Sequence, residues 1–198
     1  MNIGLTGGIA TGKSTVSSLL VEKGALLVDA DAIARDVMLP GNPVLAAVTA
    51  SFGQGILHED GTLDRKKLGS IVFGDKKALE TLNSISHPEI RKEIRKQMRE
   101  LETTYPERLV VVDIPLLYES GLESIFEQVW VVYAPRHIQK ERLMSRDLLS
   151  DGQAEARLQS QMDIEVKKSL ADQVIDNSQT LAVTEQQLDK YWLQLRSL

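Results

Sequence analysis

Short runs of consecutive apolar residues recur along the chain, separated by longer segments with helical periodicity. The runs cover residues 2–6, 25–28, 109–112 and 129–133, with a weaker one at 173–175. Because apolar residues fill successive rather than alternate positions, the runs predict strands that are buried on both faces. Strands and helical segments alternate, which predicts an α/β fold with a parallel β-sheet flanked by helices.

Two helical segments stand out. The first runs from Lys13 to Lys23 and ends before Gly24, a residue suited to a left-handed helix cap. With the apolar runs on either side, it forms a β-α-β unit at the start of the chain. The second runs from Pro88 to Glu102 with apolar residues on one face. Proline is common at the first position of a helix because its missing N–H has no partner there, so we expect Pro88 to begin this helix.

Two stretches interrupt the alternation and predict inserted helical subdomains. The first, residues 31–86, has Pro- and Gly-rich turns between short amphipathic helices. The second, residues 135–168, is rich in charged residues and poor in apolar ones, which is more typical of a mobile lid than of a core element. The remaining segments, 1–30, 87–134 and 169–198, are predicted to form a discontinuous core.

Composition narrows the class of protein. A chain of 198 residues suits one domain with insertions better than two full domains. The net charge of −5 argues against a broad nucleic-acid surface, and the lack of cysteine excludes disulfides, thiolate catalysis and cysteine-based zinc sites. No basic leader precedes the first strand, and no apolar run approaches the roughly 18 residues that span a bilayer. We therefore expect a cytoplasmic protein with small anionic ligands and no membrane segment.

The clearest candidate for chemistry follows the first strand. Residues 7–14 read Gly-Gly-Ile-Ala-Thr-Gly-Lys-Ser and fit G-x-x-x-x-G-K-[ST], the pattern of a phosphate-binding loop. Backbone N–H groups of such a loop face phosphate oxygens, Lys13 reaches the β- and γ-phosphates, and the Ser14 hydroxyl suits Mg²⁺. The alternative is a glycine-rich turn with a surface lysine, which the order of strand, loop and helix disfavours.

Carboxylates follow two of the predicted strands. Asp29 and Asp31 come after the second strand, at the edge where α/β sheets place ligands. Each is a candidate base for a hydroxyl acceptor of phosphate, and each is equally a candidate cap of the next helix. Asp113 ends the strand at 109–112. It is either a residue that positions Mg²⁺ through water or simply a turn former, and we favour the first interpretation beside a phosphate loop.

Arginines in the second insertion supply candidate contacts to a triphosphate. Arg142 and Arg146 are four residues apart on a predicted helix, so they share one side of it, and Arg157 follows in the same segment. A run of charges is usually only a solvated face, but beside a phosphate loop we favour closure of these arginines over the phosphates.

A second anionic ligand has three candidate arginines, Arg35, Arg91 and Arg95. Arg35 is favoured because it follows Asp31 by one turn. His87 precedes the expected helix start and has a simple structural alternative as a neighbour of the cap. The three histidines of the chain are scattered and predict no metal site.

These residues resemble the dephospho-coenzyme A kinase family. The likeness follows the order of the chain through residues 5–15, 28–31 with Ala34-Arg35, His87-Pro88, 113–119, 142–147, 160–162 and 171–177. One such motif alone is weak, but seven in register over nearly the whole chain are specific.

The resemblance implies transfer of the γ-phosphate of ATP to the ribose 3′-hydroxyl of dephospho-coenzyme A, with Mg²⁺ as cofactor. It also implies a nucleoside-monophosphate-kinase-like core, with 31–86 as the acceptor-binding domain and 135–168 as the lid. Asp31 matches the carboxylate proposed as general base in the family, whereas Asp29 stays undecided. Arg142 matches a lid arginine near the phosphates, and Asn177 lies in the segment that borders the adenine pocket.

The expected site residues form four groups. Nucleotide binding is assigned to Gly7, Gly8, Ala10, Thr11, Gly12, Lys13, Ser14, Thr15, Arg142, Arg146 and Asn177. Acceptor binding is assigned to Asp31, Arg35, His87 and Leu116, catalysis to Asp31, Lys13 and Arg142, and the metal to Ser14 and Asp113. We expect a monomer or small homo-oligomer that binds neither nucleic acid nor membrane.

The chain departs from the family pattern at three places. Ala10 and Thr11 stand where many members carry Gly-Ser, so the third loop glycine is missing. Gly152 and Gln153 stand where acidic residues are common, and Lys168 stands where an arginine is often found. Lysine lacks the planar fork of arginine, so a bidentate phosphate contact at that position is in doubt.

Overall fold

The computed structural model describes residues 1–195, and its strands form one sheet. The strands are β1 (Asn2–Gly7), β2 (Leu26–Asp29), β3 (Val110–Asp113), β4 (Gln128–Tyr133) and β5 (Gln173–Asp176). Their order is β2-β3-β1-β4-β5, and β1 pairs in parallel with both β3 and β4. The predicted α/β fold with a parallel sheet is confirmed.

Helices fill the connections between these strands. They are α1 (Lys13–Glu22), α2 (Ala30–Asp36), α3 (Pro43–Phe52), α4 (Arg65–Val72), α5 (Lys76–Thr104), α6 (Arg136–Asp147), α7 (Asp151–Gln159), α8 (Ile164–Leu170) and α9 (Leu181–Leu195). Short 3₁₀ turns lie at Gln54–Ile56 and Glu123–Ile125. Among the helices in residues 1–195, none is long and apolar enough to cross a membrane.

The apolar runs place the core on the central strands. Ile3 and Leu5 of β1 and Trp130 of β4 are fully or almost fully buried, and they pack with Leu20 of α1 and Leu188 of α9. Burial of a large apolar side chain contributes about 1.5–3 kcal/mol, so this cluster fixes the sheet against both helices. Because the strands are parallel, β1, β3 and β4 all end at the same edge of the sheet.

The strand predicted at residues 25–28 is less buried than expected. β2 is the edge strand of the sheet, and Leu27 is 41% exposed while Val28 is buried. A continuous apolar run predicted burial on both faces, and that prediction is wrong for Leu27, because at this edge of the sheet the face that carries Leu27 is only partly covered.

The prediction that Pro88 begins a helix is also wrong. Pro88 lies inside α5, which runs for 29 residues from Lys76 to Thr104. The helix begins further back, where the Asp75 carboxylate accepts the N–H of Ala78 at 3.0 Å as an N-terminal cap. Proline removes one backbone donor from a helix but does not always end it, and here α5 continues on both sides.

Contacts divide the described chain into two compact units. One unit combines residues 1–28 with the described residues from Met98 onward, and the other is Asp29–Gln97. The sheet belongs largely to the first unit, whereas α2, α3 and α4 belong to the second. The functional division into core, acceptor domain and lid stays a prediction, and residues 196–198 of the predicted core segment lie outside the described residues.

The charged segment 135–168 has more apolar structure than its composition indicated. Leu143 of α6 packs with Ala154 and Leu158 of α7, and all three are buried. Ile9 and Ala10, from the loop after β1, pack against this cluster. The segment therefore has a small core of its own that also contacts the predicted phosphate loop.

Candidate nucleotide-binding site

The predicted phosphate loop connects β1 to α1. Thr11 closes it on itself, because both its backbone N–H and its hydroxyl donate to the Gly8 carbonyl, at 3.3 and 2.9 Å. Thr11 is fully buried. The first turn of α1 follows at once, so its free N–H groups and the positive end of its dipole lie next to the loop.

Two loop glycines have no room for a side chain. A Cβ on Gly7 would lie 2.7 Å from Thr11 Oγ1 and 2.8 Å from the Val132 carbonyl oxygen. A Cβ on Gly12, where φ is +86°, would lie 2.1 Å from the Asn177 Nδ2 atom. The glycines of the pattern are therefore required by this loop geometry itself.

Ala10 occupies the left-handed region of backbone conformation, with φ at +59°. Glycine adopts this region freely, whereas the Cβ of an L-residue costs roughly 1–2 kcal/mol there. The departure from the family pattern at Ala10 thus falls at a position whose conformation favours glycine. Its methyl group packs against the cluster of α6 and α7 side chains, which offsets part of that cost.

Lys13 and Asp113 bring opposite charges together at the edge of the sheet. Lys13 is the first residue of α1, Asp113 is the last of β3, and Asp113 is in register with Leu5 of β1. The Lys13 ammonium contacts the Asp113 Oδ1 atom, and the two side chains are only 18% and 15% exposed. Ser14 follows Lys13 and is exposed.

Asn177, just after β5, connects the loop to α6. Its Nδ2 atom donates to the Thr11 carbonyl at 2.8 Å, and its Oδ1 atom accepts the Thr184 hydroxyl at 2.8 Å. Arg142 of α6 donates from Nη2 to the Asn177 carbonyl, also at 2.8 Å. Three residues predicted from separate motifs, Thr11, Arg142 and Asn177, are therefore joined by hydrogen bonds.

Arg146 lies one turn beyond Arg142 but has a different partner. Its guanidinium donates to the carboxylate of Asp147, with Nε to Oδ1 at 2.8 Å, and Arg157 binds the same carboxylate. The hydrogen bond from Arg146 lowers the pKa of the Asp147 carboxyl, and the nearby charges of both arginines lower it further.

The remaining predicted residues before Asp113 lie in the second unit. Asp29 is the N-terminal cap of α2, because its carboxylate accepts the Ala32 N–H at 3.0 Å, and Arg35 Nη2 lies 3.8 Å from Asp29 Oδ2. Asp29 and Asp31 were each a candidate base and a candidate helix cap, and Asp29 is the helix cap. Asp31 lies in the first turn of α2, and its role as a base stays a prediction.

His87 and Leu116 complete the acceptor group. Burial and the positive charge of Arg91 lower the pKa of His87 below its usual value of 6.5, which favours the neutral imidazole. Leu116 follows Asp113 by three residues and its side chain is exposed. Their contacts with a substrate stay predictions.

Sequence reasoning missed two side chains that contact the loop. Gln161, between α7 and α8, accepts the Ile9 N–H on its Oε1 atom at 2.9 Å. Lys167 of α8 donates to the Gly7 carbonyl at 3.2 Å. Gln161 lies in the motif at 160–162, but no role was predicted for it. Nothing in the charged sequence around Lys167 distinguishes this residue from a surface lysine.

Comparisons with known proteins agree on one enzyme family. The family model described as dephospho-CoA kinase, CoaE, matches residues 1–182. A dephospho-CoA kinase of Carboxydothermus hydrogenoformans is 51% identical over 186 residues, which cover 94% of this chain and 90% of that protein.

Solved structures agree with the sequence comparisons. A dephospho-CoA kinase from Campylobacter jejuni matches with a TM-score of 0.76 at 34% identity, covering 99% of this chain and 97% of that one. A shikimate kinase from Acinetobacter baumannii, at 18% identity and a TM-score of 0.52 over 99% of this chain and 93% of that one, shares the fold alone.

Proposed function

The chain belongs to the dephospho-CoA kinase family, and from this premise we propose that it transfers the γ-phosphate of ATP to the ribose 3′-hydroxyl of dephospho-CoA, giving CoA and ADP. The observation that carries the proposal is the family match over residues 1–182, because this range holds the phosphate loop, Asp113 and Asn177 together. Net charge supports small anionic substrates over nucleic acid, and we propose a cytoplasmic location.

The loop binds the triphosphate of ATP in this proposal. Its backbone N–H groups and the N-terminus of α1 face the phosphate oxygens, and Lys13 exchanges its contact with Asp113 for the β- and γ-phosphates. Its ammonium then offsets the charge that shifts toward the leaving oxygen. The glycines Gly7, Gly8 and Gly12, with Ala10, Thr11 and Thr15, form the remainder of the cradle.

Ser14 and Asp113 have side chains that fit a magnesium ion. A hydroxyl and a carboxylate are oxygen ligands of the kind Mg²⁺ prefers, and Mg²⁺ usually takes its other ligands from phosphates and water. Bound Mg²⁺ would neutralise charge on the β- and γ-phosphate oxygens.

The arginines of the lid segment stabilise the transferred phosphoryl group in this proposal. Arg142 is linked to the loop through Asn177, and in this proposal its guanidinium meets a phosphate oxygen. Arg146 is more exposed and must leave Asp147 to do the same. We assign Asn177 to the wall of the adenine pocket and residues 135–168 to the lid.

Asp31 is the proposed general base. It takes the proton of the acceptor hydroxyl as that oxygen attacks the γ-phosphorus, a task for which a carboxylate within hydrogen-bond reach is suited. Residues 31–86 are the proposed acceptor domain. Arg35 supplies positive charge for the phosphates of dephospho-CoA, and neutral His87 and exposed Leu116 supply a hydrogen bond and an apolar contact.

A panel of acceptors tests the proposal. Purified protein is mixed with ATP, Mg²⁺ and one acceptor at a time, namely dephospho-CoA, adenosine, AMP or shikimate, and the products are separated by chromatography. We expect CoA and ADP from dephospho-CoA alone, and no product when a chelator removes the metal. Preferred phosphorylation of another acceptor, or no CoA from a folded sample that binds ATP, would overturn the assignment.

A further inference from the structure

Lys167 is a buried cation directly behind the phosphate loop. Its side chain is 0% exposed, and its Nζ atom has three oxygen partners. They are the Gly7 carbonyl at 3.2 Å, the Pro115 carbonyl at 3.1 Å and the Glu119 Oε1 atom at 2.9 Å. An ammonium has three donors, so this set satisfies the group completely.

The two carbonyls belong to the segments that carry the proposed donor site. Gly7 ends β1 and begins the loop that leads to Lys13, and Pro115 follows Asp113 at the end of β3 by two residues. The Thr6 hydroxyl also donates to the Pro115 carbonyl, at 3.1 Å. One ammonium on α8 therefore ties together the ends of two neighbouring strands.

Glu119 supplies the charge that makes the burial of Lys167 possible. Its carboxylate is 23% exposed, and the same Oε1 atom accepts the Met162 N–H at 3.0 Å. Removing one partner of such a pair leaves the other charge without compensation and is strongly destabilising. The pair thus fixes the start of the lid segment's last helix, α8, against the residues after Asp113.

From this geometry we propose that Lys167 is a positioning residue for phosphoryl transfer. By holding the Gly7 and Pro115 carbonyls at once, it sets the spacing between the loop with Lys13 and the segment with Asp113. Loss of the ammonium removes the one donor that the two carbonyls share, while the Thr6 hydroxyl still donates to Pro115, so we expect the two segments to shift relative to each other. A misplacement of about 1 Å at reacting groups can cost on the order of 10²-fold in rate. This inference rests on the proposed function.

The first test compares Lys167→Met, which keeps the length of the side chain but removes its charge, with two controls. Lys190→Met removes an exposed lysine of α9, and Leu188→Ala weakens a core cluster of which Lys167 is not a member. At a temperature where all variants are folded, we expect Lys167→Met to lower kcat at least tenfold. We expect KM for dephospho-CoA to change less than twofold, and Lys167→Arg to retain more of kcat than Lys167→Met. Lys190→Met should match the wild type.

Two results would overturn the inference. One is a kcat for Lys167→Met within twofold of the wild type. The other is the same fall in kcat for Leu188→Ala at an equal loss of thermal stability, since the loss would then reflect general weakening. If Lys167→Met does not fold, Glu119→Gln takes its place, and Lys167→Arg remains the variant that keeps the charge. The same two quantities, kcat and KM for dephospho-CoA, are then compared between them.

Amide hydrogen exchange of the ligand-free protein separates this inference from the proposed function. We expect faster exchange in Lys167→Met at residues 7–13 and 113–116 than in Leu188→Ala. If the wild type makes no CoA but this exchange pattern is found, the assigned reaction falls and the positioning contact stands. If the wild type makes CoA and the exchange in these segments is unchanged, the positioning role falls alone.

Discussion

The Asn177 side chain donates a 2.8 Å hydrogen bond to the carbonyl of Thr11, across 166 residues of sequence. The contact is buried, and the same side chain accepts the Thr184 hydroxyl. The Asn177 amide also occupies the space that a Cβ on Gly12 would need. The loop is therefore held in shape by a residue that follows the last strand.

Replacing Asn177 by alanine is expected to weaken the loop and its hold on nucleotide. The change leaves the buried Thr11 carbonyl and Thr184 hydroxyl without this partner, which costs roughly 1–3 kcal/mol of unfolding free energy. We expect ADP to bind at least several-fold more weakly by calorimetry. Ser178→Ala, next to it, is the control. In a double-mutant cycle Thr184→Ala should lose little more once Asn177 is gone, and fully additive losses would contradict the network.

Ala10 gives a second prediction, based on its positive φ. Ala10→Gly relieves the left-handed strain of roughly 1–2 kcal/mol but loses a packed methyl group and gains freedom in the unfolded chain, each about 0.5–1 kcal/mol. We expect the three effects to leave unfolding free energy within about 1 kcal/mol of the wild type. Ala10→Val places a β-branched residue at positive φ and should clearly destabilise the protein, as measured by denaturant unfolding. Equal stability of the two variants would argue against strain at this position.

The pattern of apolar runs predicted all five strands, the loop motif singled out Lys13, and the apolar run that Asp113 ends singled out its partner. The extent of burial of β2 and the start of α5 were not predicted correctly. A run of apolar residues does not show whether its strand lies at an edge, and a proline shows where a donor is missing but not whether the flanking turns hold the helix together.

Lys167 shows a different limit of sequence reasoning. A lysine in a charged segment is normally solvated, and its partner carbonyls, at Gly7 and Pro115, are 160 and 52 residues away. Backbone carbonyls carry no sequence signal, so no motif marks their partner. Residues that lie in a recognisable motif are thus easier to find from sequence than residues that hold the motif in place.

Asp31→Asn tests the proposed base. The amide keeps the size of the side chain but cannot accept a proton, so we expect kcat to fall at least 10²-fold while ATP affinity changes less than twofold. Asp29→Asn is the matched variant, because asparagine caps a helix as well as aspartate does. Steady-state kinetics and calorimetry on both variants give the answer. A similar loss of kcat in both variants, or in neither, would remove Asp31 from this role.

His87 predicts a pH dependence of stability. Its pKa is lowered in the folded state, mainly by burial, so the unfolded chain binds a proton more readily than the folded protein does. The contribution of His87 is therefore fully present above its ordinary pKa of 6.5 and is lost as pH falls below that value. When the pH is lowered from about 7.5 to about 5, through the region in which histidine titrates, the melting temperature of the wild type should fall by more than that of His87→Gln. Parallel curves for the two proteins would contradict the burial argument.

The last prediction concerns Gln161, whose side-chain oxygen accepts a hydrogen bond from the backbone N–H of Ile9 in the loop. Gln161→Glu keeps an acceptor for the Ile9 N–H but adds a negative charge beside the proposed phosphate site. Repulsion across a partly exposed site is on the order of 1 kcal/mol or more, so ATP should bind several-fold more weakly. The loss should shrink at high salt, because ions screen exposed charges.

Gln153→Glu is the control, since Gln153 takes part in the capping box of α7 and glutamate serves there equally well. Titration of each variant with ATP at two salt concentrations measures the effect, and unchanged affinity in Gln161→Glu would place the triphosphate away from Ile9.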